Sequence, residues 1–305
     1  MGENQLVAEF GRALQNDGLP YRSAEALCAH TSFHVGGPAS IFCEPETVPE
    51  LARTLELCKQ HGVRYYILGN GSNTLFADNG FSGAVISTLC LENRRVLLEE
   101  NILRAGAGAV LSTVCLAAQK AGLTGLEFAY GIPGTVGGAV YMNAGAYGGE
   151  MQNVLTEVTF LDEAFQLHTL PVSALALGYR TSVFETRPWC ILEASFALQK
   201  GEGDAILATM QELMGRRREK QPLELPSAGS TFKRPEGSFA GKLIEECGLR
   251  GFTVGGAQIS NKHCGFVVNI GDATCADIVE LTDRVRSIVQ EKTGYVLERE
   301  IRVVE

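Results

Sequence analysis

Gly131-Ile132-Pro133-Gly134-Thr135-Val136-Gly137-Gly138, running on as Ala139 to Tyr147, is the stretch whose reading decides the fold. From Gly125 to Gly149 the chain is dense in glycine and carries few charges, with Ile132-Pro133-Gly134 as a fixed turn. Such density implies that the backbone approaches something closely. Ala139 to Tyr147 is small-residue backbone with Asn143 as its main polar side chain, a surface against which a flat ring system fits. A second loop, Gly69-Asn70-Gly71-Ser72-Asn73, follows the apolar run Val63 to Leu68, which reads as a strand. Glycines let successive backbone N–H groups converge on phosphate oxygens, and Ser72 and Asn73 add side-chain donors.

Neither loop follows a common nucleotide signature. In Gly69-x-Gly71-x-x-Thr74 a threonine stands where a dinucleotide fingerprint needs its third glycine, and no clear strand-loop-helix unit follows. Gly106-x-Gly108 fails at Leu111, and Gly241-Lys242-Leu243 lacks the Ser or Thr of a P-loop. These departures argue against nicotinamide or ATP binding by those folds.

Outward from the loops, helices and strands mix without internal repeats. Thr47-Val48-Pro49-Glu50 is a capping-box pattern, and Leu51, Leu55 and Cys58 recur at helical spacing until Gly62. Ala84 to Thr88 and Ile102 to Ala105 read as strands, and Leu111, Cys115 and Ala118 mark a helix ended by Gly122. Val154 to Leu161 and Ile191 to Leu198 read as paired strands. Asp204 to Lys220 reads as a helix closing on Arg216, Arg217 and Arg218, where cations suit the dipole. Past Pro222, Pro226 and Pro235, one helix carries Ala240, Leu243, Ile244 and Cys247, and another opens at Thr274 with Asp277 three residues on and runs to Gly294. The tail alternates: Tyr295, Leu297, Arg299, Ile301 and Val303 share one strand face, and Val296, Glu298, Glu300, Arg302 and Val304 share the other.

Composition narrows the function. Of 305 residues, 45% are hydrophobic and 20% charged, the size and balance of a globular protein with two or three cores. A net charge of −9 and a pI near 5.2 argue against nucleic acid or an acidic membrane as partner, so any anion must be held locally. Met1 to Phe10 lacks the apolar run of a signal peptide and no stretch approaches a membrane span, which points to the cytoplasm. The nine cysteines contain no CxxC pair and read as reduced, mostly buried thiols. His30 and His34 are four apart, but the intervening Thr-Ser-Phe predicts extended chain, so no metal is assigned.

Six ordered blocks together resemble the UDP-N-acetylenolpyruvoylglucosamine reductase family: Thr31 to Ala39 (TSFHVGGPA), Leu68 to Leu75 (LGNGSNTL), Gly131 to Tyr147 (GIPGTVGGAVYMNAGAY), Gly178 to Phe184 (GYRTSVF), Lys220 to Pro235 (KQPLELPSAGSTFKRP) and Leu297 to Arg302 (LEREIR). The resemblance covers nearly the whole chain. It implies an α+β protein with a two-part FAD-binding region of the vanillyl-alcohol-oxidase (PCMH) type and a smaller α+β substrate domain. The corresponding division is 1–82 and 83–200 for the two FAD subdomains and 201–305 for the substrate domain, whose final strand would carry Glu300. FAD would be bound non-covalently by Gly69, Asn70, Gly71, Ser72, Asn73, Gly131, Ile132, Pro133, Gly134 and Gly137, with NADPH as hydride donor. The substrate would be a small sugar nucleotide of peptidoglycan precursor synthesis. Oligomeric state stays open.

The implied chemistry is hydride delivery to the vinyl carbon of an enolpyruvyl ether, leaving charge on an enol carboxylate that is then protonated at the adjacent carbon. Arg180, Ser230 and Glu300 match the family's catalytic positions. A permanently charged fork suits the enolate. Ser230 would deliver the proton, a role that requires a positioned hydroxyl with a partner to polarise it. Glu298 lies on the same strand face as Glu300, so alternation cannot choose between them, and only register against LEREIR favours Glu300. Lys220, Arg234, His263 and Arg302 would bind substrate, with Lys233 adjacent. His34 departs from the basic residue common in the first block. Glu185-Thr186-Arg187-Pro188-Trp189 leaves no room for the tyrosine-bearing insertion of one subclass, which makes this the compact subclass. A flavin pocket without catalysis, and an alcohol oxidase or dehydrogenase, are the competing classes.

Overall fold

The computed structural model describes residues 3–91 and 95–305. The chain forms two compact units, each assembled from separated stretches. One comprises the segment ending at Ser23, Ile41–Asn70 and Gly83–Arg216, and the other Ala24–Ser40, Gly71–Ser82 and Arg217–Glu305.

The first unit holds two cores. In one, Phe10 and Leu14 of α1 (Glu3–Asn16) and Leu51, Leu55 and Cys58 of α2 (Val48–His61) are buried together with Ile41, Ala84 and Ile86. The associated sheet runs β1 (Tyr21–Ala26), β2 (Pro38–Cys43), β5 (Phe81–Ser87), β3 (Tyr65–Leu68), with β3 parallel to β5. The Thr47 hydroxyl accepts from the Glu50 N–H at 3.2 Å, while the Glu50 carboxylate takes the Glu46 N–H at 2.8 Å, one residue earlier than a reciprocal box. Gly62 closes α2 at φ +63, and the Val63 N–H still bonds the Cys58 carbonyl at 2.9 Å, so β3 starts later than the apolar run does.

The second core lies on a five-stranded sheet ordered β12 (Leu167–Pro171), β11 (Leu155–Leu161), β13 (Cys190–Ala197), β7 (Ile102–Gly106), β6 (Val96–Glu99). β11 and β13 pair antiparallel as the sequence predicts, placing Val158 opposite Ala194. Leu111, Val114, Cys115 and Ala118 of α3 (Leu111–Lys120) and Val136, Ala139 and Val140 of α4 (Val136–Tyr141) fill it. A two-residue pair, β8 (Leu123–Thr124) with β14 (Gln199–Lys200), and a hairpin of β9 (Gly145–Ala146) and β10 (Gly149–Glu150) complete the set, and α5 (Gly203–Lys220) follows β14.

The core of the other unit is shared by Phe33, Val35 and Leu75, by Leu243 and Ile244 of α6 (Ala240–Glu246), and by Ile278, Leu281, Val285 and Val289 of α7 (Cys275–Thr293). A small antiparallel sheet, β15 (Thr253–Val254), β16 (Ala257–Ile259) and β17 (Val267–Asn269), adds Ala257, Ile259 and Val267. Thr274 and Asp277 form a full capping box at α7, and both Asp78 carboxylate oxygens accept from its first turn, the N–H groups of Cys275 (2.7 Å) and Ala276 (3.0 Å).

The tail departs from the expected long strand. Only β18 (Arg302–Val304) forms a ladder, parallel to β4 (Thr74–Phe76). Before it, the chain bonds to residues 231–233 at alternate positions, Glu298 O accepting from Lys233 N–H and Glu300 N–H donating to Thr231 O, both at 2.8 Å. Glu300 therefore precedes the strand. Leu297 and Ile301 are buried as alternation demands, whereas Val296 on the opposite face is 62% exposed. Chain 31–34 is a turn rather than extended, closed by His34 N–H on Thr31 O at 3.1 Å, and the His30 ring meets Glu25 at 2.7 Å.

All nine cysteines are free thiols, and burial pushes those of Cys43, Cys115 and Cys190 up to about 12. No helix among the described residues is long and apolar enough to cross a membrane.

Candidate active site

The two glycine loops meet within the first unit. The Asn70 side-chain amide donates to the Pro133 carbonyl at 2.8 Å, and a Cβ on Gly69 would lie 2.6 Å from the Thr135 hydroxyl. That close approach leaves little room for a side chain at Gly69. Gly137 is likewise crowded by Ala107, where a Cβ would sit 3.0 Å from the Ala107 Cβ. The backbone N–H groups of Gly131, Gly134 and Thr135 meet no acceptor among the described residues, although Val136 and Gly137 donate to Ala109 and Ala107.

The first loop crosses into the other unit between Asn70 and Gly71. Gly71 has φ +60, and a Cβ there would fall 2.0 Å from the His30 carbonyl oxygen. Around it the carbonyls are spent, Gly71 O accepting from Ser32 N–H (3.2 Å) and Asn73 O from Arg302 N–H (3.0 Å). The N–H groups of Asn70, Gly71, Ser72 and Asn73 have no acceptor among the described residues. Consecutive unspent amides on a loop whose carbonyls face the protein are the donor set an anionic pyrophosphate needs, so these residues fit FAD.

The Asn143 side chain is spent within the protein. It is fully buried, donates to Gly178 O (2.9 Å) and Glu150 (3.2 Å), and accepts from Gln152 N–H (3.0 Å). Arg180, at φ +56, is half-buried, its guanidinium 5.0 Å from the Tyr179 ring centre and donating to Gly145 O at 3.0 Å.

In the other unit the structure brings Ser230 and Glu300 to the two sides of one residue, Thr231. Ser230 bridges Phe266, Thr231 N–H donates to Gly265 O (2.9 Å), and Glu300 N–H donates to Thr231 O. The Thr231 hydroxyl, itself fully buried, accepts from Val267 N–H at 2.8 Å and fixes this junction. Asn73 closes it from the loop side, its amide donating to Glu300 O at 3.2 Å. Ser230 is exposed, and its hydroxyl has no partner among the described residues. Glu298 and Glu300, inseparable by alternation, differ here: the Glu298 carboxylate is 69% exposed and paired with Lys233 at 2.5 Å, whereas Glu300 is half-buried.

The remaining candidates sit apart in character. Arg302 is half-buried at the head of β18, and Arg234 lies 4.1 Å over the exposed Phe239 ring. His263 Nδ1 accepts the Gly265 N–H at 3.1 Å, and burial holds its pKa below the usual histidine range, so the ring is neutral at pH 7. Lys220 is exposed at the end of α5. Ser32, quoted in the first block but given no role, donates to Ser227 O at 2.7 Å and ties that block to the Ser230 loop; its position in TSFHVGG was the only signal.

Fold and loops together define a flavoprotein: residues 39–169 match the FAD binding domain, and a berberine bridge enzyme variant shares the fold (TM-score 0.50, 13% identity, covering 64% of this chain and 44% of that one). Residues 221–304 match the C-terminal domain of UDP-N-acetylenolpyruvoylglucosamine reductase. A reductase of that name from Clostridium novyi is 50% identical over 275 residues, 90% of this chain and 89% of its own length. The crystal structure of the Thermus caldophilus enzyme superposes with a TM-score of 0.81 at 37% identity, covering 94% of this chain and 99% of that one. The chain belongs to the UDP-N-acetylenolpyruvoylglucosamine reductase family.

Proposed function

We propose that the protein reduces the enolpyruvyl ether of UDP-N-acetylglucosamine enolpyruvate to UDP-N-acetylmuramate, the reductive step of a peptidoglycan precursor. Bound FAD supplies the hydride, taken from NADPH. One observation carries the proposal: two loops joined through Asn70 and Pro133 present a run of unspent amides in a chain of this family. The amides of Asn70 to Asn73 and of Gly131, Gly134 and Thr135 hold the cofactor's phosphates, while Gly69, Ile132, Pro133 and Gly137 give the loops their close-packed shape.

Arg180 holds the substrate's carboxylate and the charge that develops on it, since a guanidinium stays protonated throughout. Ser230 gives up the proton that completes the new C–H bond, and with no competing partner among the described residues its hydroxyl is available to a bound molecule. Solvent then restores the proton to this exposed side chain. Glu300, held by Thr231 and Asn73, steadies the protonated enol. Lys220 and Arg302 supply cationic contacts for the diphosphate and carboxylate, Arg234 a further one, and His263, neutral, a hydrogen bond.

The division into FAD subdomains 1–82 and 83–200 and a substrate domain 201–305 belongs to the same proposal, with 24–40 and 71–82 drawn into the compact unit of the last third. So does the compact subclass. Trp189 closes the short link after Phe184 by stacking on Phe160 at 4.5 Å and donating to Glu163 at 2.5 Å. The reduced, unbridged thiols suit a cytoplasmic setting. Purified protein should be yellow, bleach with NADPH, and regain colour anaerobically when the enolpyruvyl sugar nucleotide is added. A protein that takes up no FAD, or whose reduced flavin ignores that substrate, refutes the proposal.

A further inference from the structure

The turn that carries Arg180 is conformationally unfavourable. Gly178 and Thr181 exchange both backbone hydrogen bonds (3.1 and 3.3 Å), leaving Tyr179 and Arg180 as a two-residue tip, and Arg180 takes the left-handed φ of +56 that turns of this kind reserve for glycine or asparagine. Such a conformation persists only where the surroundings over-determine it.

What over-determines it is a ladder of three bonds from alternate residues of one neighbouring segment. Tyr141 O, at the end of α4, accepts from the Ser182 hydroxyl (2.7 Å). Asn143 donates to Gly178 O (2.9 Å). Gly145 O accepts from the Arg180 guanidinium (3.0 Å). Asn143 and Ser182 are both buried, and Asn143 is itself anchored by Glu150 and Gln152. Its own φ of +42 is one that asparagine tolerates better than most residues. The same amide thus fixes the entry to the arginine turn and the backbone that receives the arginine's side chain.

We infer that Asn143 is a positioning residue for Arg180, with Ser182 as its weaker companion, setting the guanidinium where charge develops on the substrate. The inference rests on the role proposed above for Arg180. Misplacement by about 1 Å costs up to roughly 100-fold in rate. The step affected is the one that needs the arginine.

The test uses flavin-loaded protein in anaerobic stopped flow, following flavin reduction by NADPH and reoxidation by the enolpyruvyl substrate separately. Asn143→Gly keeps the left-handed backbone and deletes the amide; reoxidation should slow about 10- to 100-fold while reduction stays within about threefold. Ser182→Ala should slow reoxidation severalfold. In an Arg180→Asn background, where the left-handed turn is still tolerated but the charge is gone, Asn143→Gly should add less than about twofold, because a residue acting through Arg180 has nothing left to position.

Equal slowing of both half-reactions by Asn143→Gly, or the same added loss with and without Arg180, overturns the inference and makes Asn143 merely structural. Normal reoxidation in Arg180→Asn removes the underlying role of Arg180 instead, a result distinguishable from the first. If Asn143→Gly does not load flavin, Ser182→Ala decides by the same two criteria.

Discussion

Gly71→Ala separates two reasons for a glycine in a cofactor loop. The added Cβ would lie 2.0 Å from the His30 carbonyl oxygen and 2.9 Å from the Thr31 Cα, at a φ of +60. Left-handed backbone costs an L-residue about 1–2 kcal/mol, and forcing the 30–31 backbone aside costs about 1–3 kcal/mol more. Gly148→Ala is the matched control: its φ is +87, but nothing lies within 4 Å of the new Cβ, so only the backbone penalty remains. Denaturant unfolding of the flavin-free proteins should therefore show Gly71→Ala at least about 1 kcal/mol less stable than Gly148→Ala. Flavin titration of the same proteins should show weaker binding for Gly71→Ala, since its amide shifts with the backbone. Equal stability losses in the two variants would refute the steric argument. Undiminished stability with lost flavin binding would mean that the glycine is kept for the ligand and not for His30.

The other expectations are shorter. Ser230→Ala should leave flavin reduction by NADPH intact and slow reoxidation by substrate at least about 100-fold, since only the second half-reaction protonates carbon; comparable loss in both would give Ser230 a different task. Glu300→Gln should impair reoxidation far more than Glu298→Gln, and the reverse order would transfer the role to the exposed, Lys233-paired carboxylate. Burial lowers the folded-state pKa of His263, so its contribution to stability is present above the ordinary histidine value of about 6.5 and is lost as pH falls through the lowered one; unfolding free energies measured down to about pH 5 should fall less steeply for His263→Gln, and unchanged steepness would contradict this. Asp78→Ala should cost about 0.5–2 kcal/mol by stripping both acceptors from the first turn of α7, measurable by chemical denaturation.

Much of the fold is legible because it follows local chemistry. The Thr47 and Thr274 caps, the glycines at 62 and 294, and the β11–β13 pair depend on residues near in sequence or on clean periodicity. The tail is less legible. Alternation reports which side chains are buried, as at Leu297 and Ile301, but not whether the backbone bonds form a continuous ladder, and 297–300 spends its bonds singly on 231–233. In the site, the loops announce themselves through glycine, yet Gly69 and Gly71 are required by Thr135 and His30, partners far away in sequence. Asn143 reads as a polar group on a ring-binding surface because nothing local shows that Gly178, Glu150 and Gln152 already use it. Glu298 and Glu300 share a face, and only tertiary contacts part them.

The parallel pairing of β4 with β18 brings Asn73 to Glu300 across 227 residues of chain. On the ribosome, the segment around Thr74 emerges long before its partner and must wait, with Phe33, Val35 and Leu75 uncovered, until β18 is made. Contacts of such long sequence separation form slowly. A protein cut after Arg216 would strand those side chains in water, and a fragment of the last third alone would lack part of its own interior. Until β18 has been made, a growing chain thus exposes this apolar surface to aggregation and to chaperones.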